Sequence, residues 1–552
     1  MRKKVFFLLL ASCLAAAAGC AGQGAAPDDV VTVSPGEKEA EPTKQEIPDK
    51  DNSDKENQDN SAQDNSEQNS DHNNKKELYQ AVPYKLFPTS KNAWVGDVMP
   101  MADKDTMQLY YLYETDYNGV GYHPVHKFST KNFYEYSDDG LVLPYGSSRD
   151  NADLAIGTGS VLIAQDGKYH LFYTGHNDGF PEKGLDKECV MHAVSDDNEH
   201  WTKIPEDTFY AADNYSGDDF RDPFVFWNEE EQCYWLLIAA REENLGGVIA
   251  RYTSKDLSSW TLCEPLYAPG RQYMLECPDL FQMGDKYYLF YSWDCVTYYA
   301  MSDSIYGPYI EPENNVLDGT GFCFYAAKTA QLNGTRYLCG WIGRREKEKD
   351  TGNYNWAGNL LIHELVQKND GTLGVKMISS LEDYFDEGKE PEKKAVFGEV
   401  TEIENGYLLS AQKDEIALVD FGMREPSLLL ECDVSFGTDG YAGFAFGEGD
   451  NYGKYTGLVL DSKNNCIHYE GCVLSRMAYI EPLITTTFLF EPDKKYHVKL
   501  VMENEIAVLY VDDTKVLSNR IQKSINGANL GIFSNNTQAN FTNIVVKLPD
   551  KK

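Results

Sequence analysis

Lys168-Tyr169-His170-Leu171-Phe172-Tyr173-Thr174 and Lys286-Tyr287-Tyr288-Leu289-Phe290-Tyr291-Ser292 are one strand pattern written twice. Each is dense in Tyr, Leu and Phe, and each follows a turn, Asp166-Gly167 in one case and Gly284-Asp285 in the other. Three further copies read Met107-Gln108-Leu109-Tyr110-Tyr111-Leu112-Tyr113, Cys233-Tyr234-Trp235-Leu236-Leu237-Ile238-Ala239 and Arg336-Tyr337-Leu338-Cys339-Gly340-Trp341-Ile342. Their spacing, roughly 50 to 65 residues, falls in the range of propeller repeats. A second marker follows several copies: an outer strand, a Ser/Asp turn and a closing aromatic. It is clearest in Ala193 to Trp201 and Arg251 to Trp260, and looser in Phe128 to Phe133 and Ala300 to Tyr306. Five units of about four strands predict an all-β chain with a five-bladed β-propeller. A β-sandwich of equal strand number would explain the alternation but not the regular return of both markers.

Working outward, the propeller is expected over 79–390 and a β-sandwich over 395–552, where the markers stop and apolar runs such as Leu428 to Val434 and Tyr496 to Val501 alternate with turns. Residues 1–20 read as an export signal: Arg2-Lys3-Lys4, then an apolar stretch too short to span a bilayer, then Ala17-Ala18-Gly19-Cys20. That ending resembles a bacterial lipobox, which implies lipidation of Cys20 and an extracellular, membrane-anchored location on the cell surface. Residues 21–78 are acidic and of low complexity, and are expected to be a solvated, disordered tether. The net charge of -37 excludes a nucleic-acid footprint. No zinc-type cysteine spacing occurs, and Cys233, Cys339 and Cys432 are expected to be buried free thiols. Neither metal nor cofactor is expected, and the folded part is expected to be a monomer.

About a dozen residues before each aromatic strand lies another strand start. In a propeller this earlier strand lines the central channel. In order these starts are Trp94-Val95-Gly96-Asp97, Gly157-Thr158-Gly159-Ser160-Val161, Phe220-Arg221-Asp222-Pro223, Glu276-Cys277-Pro278 and Phe324-Tyr325-Ala326-Ala327. Three carry a carboxylate at a comparable place, and equivalent ends of channel strands converge. Glu276 sits among Met274, Leu275, Cys277 and Pro278, company that should resist ionisation and suits a general acid. Arg221 is expected to hold Asp222 ionised. Asp97, after Trp94 and Gly96, suits an exposed nucleophile over an aromatic floor. Three acids at a channel mouth could bind Ca²⁺, but no Asp-rich loop of that spacing is present. Glycoside hydrolysis, which needs one carboxyl group as acid and a second as nucleophile or base, is the better match.

Phe220-Arg221-Asp222-Pro223 and Glu276-Cys277-Pro278 resemble the R-D-P and E-C-P motifs of glycoside hydrolase family 32, the invertases, levanases and inulinases. Thr158-Gly159-Ser160, Phe324-Tyr325-Ala326 and Trp356-Ala357-Gly358 resemble further elements of that family. The resemblance implies a retaining mechanism on β-fructofuranosides, with Asp97 as nucleophile, Glu276 as acid/base and Asp222 as transition-state stabiliser. Trp94, Ser160, Arg221, Cys277 and Tyr325 are then expected to bind a fructan or fructo-oligosaccharide substrate. The chain departs from the family at its first motif, usually W-M-N-D-P-N-G, which here reads Trp94-Val95-Gly96-Asp97-Val98-Met99-Pro100. It also has Ile362-His363-Glu364-Leu365 for P-R-E-L. Fructosyl transfer, another furanosidase activity, or non-catalytic fructan binding are the alternative readings.

Overall fold

The repeated aromatic strand is the second strand of each sheet in its region. In the computed structural model, Lys286–Trp293 lies between Glu276–Met283 and Val296–Ser302, antiparallel to both. Tyr288, Leu289, Phe290 and Tyr291 are all buried, so a central strand covered on both faces reads as a continuous apolar run. The structure describes residues 81–115, 122–350, 352–447, 455–472, 484–521 and 528–550. The expected leader with Cys20, the whole of the expected tether and the first two residues of the expected propeller lie outside these residues.

The described chain is all-β apart from short 3-10 turns. Ala155–Ile163 opens a five-stranded sheet, Tyr215–Asn228 a four-stranded sheet and Glu276–Met283 a three-stranded sheet. An eight-stranded sheet combines the four strands from Trp94–Asp103 to Tyr136–Leu143 with the four from Tyr325–Leu332 to Leu373–Lys376. Its halves meet through a single register pair, Val95 with Gly358.

The first strand of every repeat breaks register near its start. Gly96 and Asp97 face one partner residue between the pairs Val95–Tyr113 and Val98–Tyr111. Asp222-Pro223, Cys277-Pro278 and Ala326-Ala327 do the same in their strands, and Thr158 is the single extra residue in its own. These are β-bulges, which bend the strand and re-aim side chains. Asp222, Cys277 and Ala326 all have positive φ, at 63°, 54° and 52°.

Strands from Ala395–Phe397 to Gln538–Lys547 form two seven-stranded sheets. Leu409, Leu430 and Val498 of one sheet share a buried cluster with Ala417, Phe444 and Ile532 of the other, so the two sheets form a sandwich. Tyr79 to Lys552 is one compact unit, and polar contacts join its two parts. Arg520 donates from Nε to the Gly343 carbonyl at 2.7 Å and pairs with Glu505 at 2.7 Å. His363 bridges Tyr510 at 2.9 Å and Asp318 at 3.1 Å. His363 stands where the family motif has Arg, so the departure is a buried structural contact. The Glu503 carboxylate accepts the backbone N–H groups of Lys85, Leu86 and Phe87 at 2.9 to 3.1 Å, tying the start of the folded chain to the sandwich. Cys233, Cys339 and Cys432 are buried free thiols, as expected.

A buried donor left without an acceptor costs about 1–3 kcal/mol. Glu503→Ala strands at least the buried Leu86 and Phe87 amides. It is therefore expected to lower stability by about 2–4 kcal/mol, read as a drop in the denaturant midpoint at unchanged slope.

Candidate active site

The bulges decide which side chains meet. Arg221, Glu276 and Tyr325 occupy the same register position, the last paired residue before the bulge. They form a hydrogen-bonded row across three successive first strands. Arg221 Nη2 donates to Glu276 Oε1 at 2.9 Å, and the Tyr325 hydroxyl donates to Glu276 Oε2 at 2.6 Å. One residue further on, the Cys277 N–H donates to Asp222 Oδ2 at 2.9 Å, with the Cys277 thiol at 3.6 Å from the same oxygen. The Asp222 N–H donates to Thr174 Oγ1 at 2.8 Å, and that hydroxyl donates to the Thr158 carbonyl at 2.9 Å.

Asp97 completes the group. Its Oδ2 accepts the Thr158 hydroxyl at 2.5 Å and lies 3.9 Å from the Cys277 sulfur. Its Oδ1 accepts two indole N–H groups, from Trp341 at 2.8 Å and Trp356 at 3.1 Å. Burial raises the Asp97 carboxyl above the ordinary range; the Thr158 and Trp341 hydrogen bonds oppose the rise and the Glu276 charge adds to it. Asp222, only 4% exposed, is pushed up to about 7 by burial, with Arg221 pulling it down and Glu276 and Asp97 pushing it further up. Three carboxyl groups therefore lie close enough to interact.

Several expected placements are corrected. The three acids do not stand at one equivalent position. Glu276 precedes its bulge, Asp222 is the first bulge residue and Asp97 the second. They meet because a bulge turns consecutive residues to one side, which strict strand alternation forbids. Nor is the Glu276 carboxyl in apolar surroundings. Met274, Leu275 and Cys277 are buried, whereas the Glu276 side chain is 31% exposed and held by Arg221 and Tyr325. Side chains alternate in direction along an extended chain, so apolar sequence neighbours do not make an apolar environment.

Arg221 likewise turns away from Asp222, to Glu276 and to Glu188. Trp94 lies near the Arg344 guanidinium, 5.8 Å from its ring centre. The indoles at Asp97 are instead those of Trp341 and Trp356, and Asp97 is half-buried rather than exposed. The buried Ser160 hydroxyl accepts the Val225 N–H at 2.9 Å, a brace between sheets, and Thr158 takes the place beside the acids.

Glu188, Thr158, Trp341 and Trp356 join the site beyond the residues expected from the sequence. Glu188 is 2% exposed and pairs with Arg221 Nη1 at 2.9 Å. It also accepts the Phe220 N–H at 2.9 Å and contacts His176 Nδ1 at 3.2 Å. Burial pushes its carboxyl up, but the Arg221 charge and the His176 hydrogen bond outweigh this and hold it down at about 2. Thr158 lies in Thr158-Gly159-Ser160, Trp356 in Trp356-Ala357-Gly358 and Trp341 in the fifth aromatic strand, whereas no local pattern marks Glu188. Among the described residues, Asp461, Cys466 and His468 also place possible metal-ligand atoms within 4.8 Å of one another. Both Asp461 oxygens there already accept from Asn464, at 2.8 and 2.7 Å.

The sequence profile of the glycosyl hydrolases family 32 N-terminal domain matches residues 89–375, just over half the chain. A levanbiose-producing levanase of Bacillus subtilis (strain 168) is 22% identical over 508 residues, covering 83% of this chain and 89% of that protein. A sucrose-6-phosphate hydrolase of Vibrio alginolyticus is 27% identical over 275 residues, covering 44% of this chain. The match spans about half the length of that hydrolase, 52%. Among solved structures, a β-fructofuranosidase of Aspergillus kawachii aligns with a TM-score of 0.66 at 17% identity, covering 85% of this chain and 94% of that one. A fructan 1-exohydrolase IIa of Cichorium intybus aligns at 0.64 and 13% identity, covering 84% and 97%. The fold thus extends beyond the profile into the C-terminal sheets, and the motifs that hold Asp222 and Glu276 lie inside the matched segment. The chain belongs to glycosyl hydrolases family 32.

Proposed function

We propose that this chain is a retaining β-fructofuranosidase that releases fructose from fructans or fructosides. The observation that carries this reading is the meeting of Asp97, Asp222 and Glu276 at the bulges of three first strands, each carboxyl in a different setting. Glu276 is more accessible than the buried Asp222, and Arg221 and Tyr325 orient it. It gives its proton to the leaving glycosidic oxygen while Asp97 attacks the anomeric carbon, forming a fructosyl ester as the glycosidic bond breaks. Glu276, now a carboxylate, takes a proton from water. That water breaks the ester, restores Asp97 and releases fructose. Asp222 accepts hydrogen bonds from sugar hydroxyls, and its partners Cys277 and Thr174 hold it in place. Arg221 serves as the guanidinium that keeps Glu276 aimed, with Glu188 behind it.

The scaffold is taken as a five-bladed propeller. The eight-stranded sheet divides at its single joining pair into two four-stranded groups, which with the five-, four- and three-stranded sheets make five. The leader ending at Cys20 supports export and a lipid anchor on the bacterial surface, with the enzyme acting as a monomer on carbohydrate. Cys20→Ala is expected to abolish labelling by a radioactive fatty acid and to move activity from the membrane to a soluble fraction. Labelling that persists would remove the anchor from this account.

Asp97→Asn and Glu276→Gln are each expected to cut hydrolysis of sucrose, inulin and levan by about 10²–10⁴-fold without loss of fold. Product analysis on the same substrates checks the reaction. Free fructose is the expected product, longer or cyclic sugars would indicate transfer, and binding without turnover would indicate a carbohydrate-binding protein.

The pocket charges also give a stability prediction. The folded-state value of Asp222, about 7, is raised above its unfolded value of 3.8, so the folded protein binds more protons than the unfolded chain between them. This contribution therefore declines as pH rises through that window. Asp222→Asn removes it. The variant is expected to be inactive yet to melt higher than the parent at about pH 8, with the difference shrinking toward about pH 4.

A further inference from the structure

Gly96, the departure in the first motif, has a physical partner. It is the first bulge residue of its strand, where other first strands carry Asp222, Cys277 and Ala326. A Cβ built on Gly96 would stand 2.7 Å from Cζ2 of Trp356 and 2.9 Å from the Leu112 carbonyl oxygen. Any side chain at this position therefore moves the Trp356 indole. That indole has a further neighbour: its ring lies 4.6 Å from the His123 ring, and His123 Nε2 is 2.7 Å from Glu114. Arg344 donates to the Trp356 carbonyl and reaches Glu114 at 3.4 Å.

The consequence falls on the two oxygens of Asp97. Each carboxylate oxygen has about two acceptor sites. Oδ1 accepts from both Trp341 and Trp356. Oδ2 accepts one hydroxyl, from Thr158, and otherwise faces the Cys277 thiol at 3.9 Å, a weak donor.

We propose that Trp356, seated over Gly96, is a positioning residue for Asp97: with Trp341 it saturates Oδ1 and leaves Oδ2 as the attacking oxygen. This rests on the hydrolase reading above. Oδ2 forms the new bond to the fructosyl carbon as the glycosidic C–O bond breaks and the leaving oxygen takes the Glu276 proton. Gly96 is then a requirement of this site rather than an erosion of it. Among the described residues, the ionisable groups that face Asp97 are Glu276, Asp222 and the Cys277 thiol, and Arg221 is the cation beside Glu276 and Asp222.

The test combines kinetics on sucrose with indole ¹⁵N–H spectra of the full chain across pH. It compares the parent with Trp356→Phe, Gly96→Ala and Asp97→Asn. The Trp356 resonance, assigned by its loss in Trp356→Phe, is expected to titrate together with that of Trp341, and both titrations to vanish in Asp97→Asn. In Trp356→Phe, Asp97 loses a donor that favours its carboxylate, so the Trp341 midpoint and the acid limb of kcat should both move to higher pH. kcat should fall about 10- to 100-fold, the range of a charge-assisted hydrogen bond, with KM little changed. Gly96→Ala, which deletes no donor, should move all three in the same direction. A Trp356 resonance indifferent to Asp97→Asn, or a Trp341 midpoint unmoved in Trp356→Phe, overturns the proposal. If the parent turns over no fructoside, the hydrolase reading fails, and with it the role assigned to Oδ2; the spectra still report whether Trp356 holds Asp97.

Discussion

The site depends on one backbone device: the bulge near the start of each first strand. A regular strand sends alternate residues to opposite faces, so two consecutive side chains cannot both reach one pocket. The bulge lifts that restriction at Gly96-Asp97, Thr158, Asp222-Pro223, Cys277-Pro278 and Ala326-Ala327. It lets Arg221 and Asp222 serve the same cavity in different roles, and does the same for Glu276 and Cys277. Positive φ at Asp222, Cys277 and Ala326 carries a local cost that the surrounding sheets must offset. Such strain persists where packing over-determines the backbone. Here buried second strands, such as Tyr288 to Tyr291, flank the bulged ones.

The electrostatics follow from that convergence. Glu188, Glu276 and Asp222 surround a single guanidinium, and Asp97 interacts with Glu276 and Asp222 beside them. Arg221 answers only two of them directly, and the remaining charge is managed by hydrogen bonds. Two indoles and a hydroxyl hold Asp97, and a backbone N–H and a thiol hold Asp222. Fixed donors of this kind favour the charged form without adding a mobile cation to the pocket. Glu188 pairs with Nη1 of Arg221, while Glu276 pairs with Nη2. Its burial and its three partners make it the anchor that keeps Arg221 extended toward Glu276.

The sandwich and the segment before the first strand are joined to the same framework. Glu503 grips the amides of Lys85 to Phe87, a few residues ahead of the strand that carries Asp97. Arg520 closes on the Gly343 carbonyl, two residues beyond Trp341. The second half of the molecule thus braces both chain segments that position Asp97.

Much of this was written in the linear sequence. The aromatic strands recur because a central strand buried on both faces needs apolar side chains throughout, and that demand leaves a local trace. The R-D-P and E-C-P motifs named Asp222 and Glu276 because their chemistry is carried by contiguous residues. What the sequence could not state is direction. Whether Arg221 faces Asp222 or Glu276, whether Trp94 or Trp356 lies beside Asp97, and whether Ser160 or Thr158 supplies the hydroxyl are all settled by where each bulge falls. Glu188 and Trp341 carry no local mark of their roles for a second reason: they act between strands far apart in the chain, 88 and 244 residues from the acids Glu276 and Asp97. Composition and spacing determined the all-β class and the candidate acids, because burial and local motif leave local marks. Only the tertiary structure decided which atoms meet, because hydrogen-bond partners in a converging set of strands are chosen by register and bulge, not by neighbourhood in the chain.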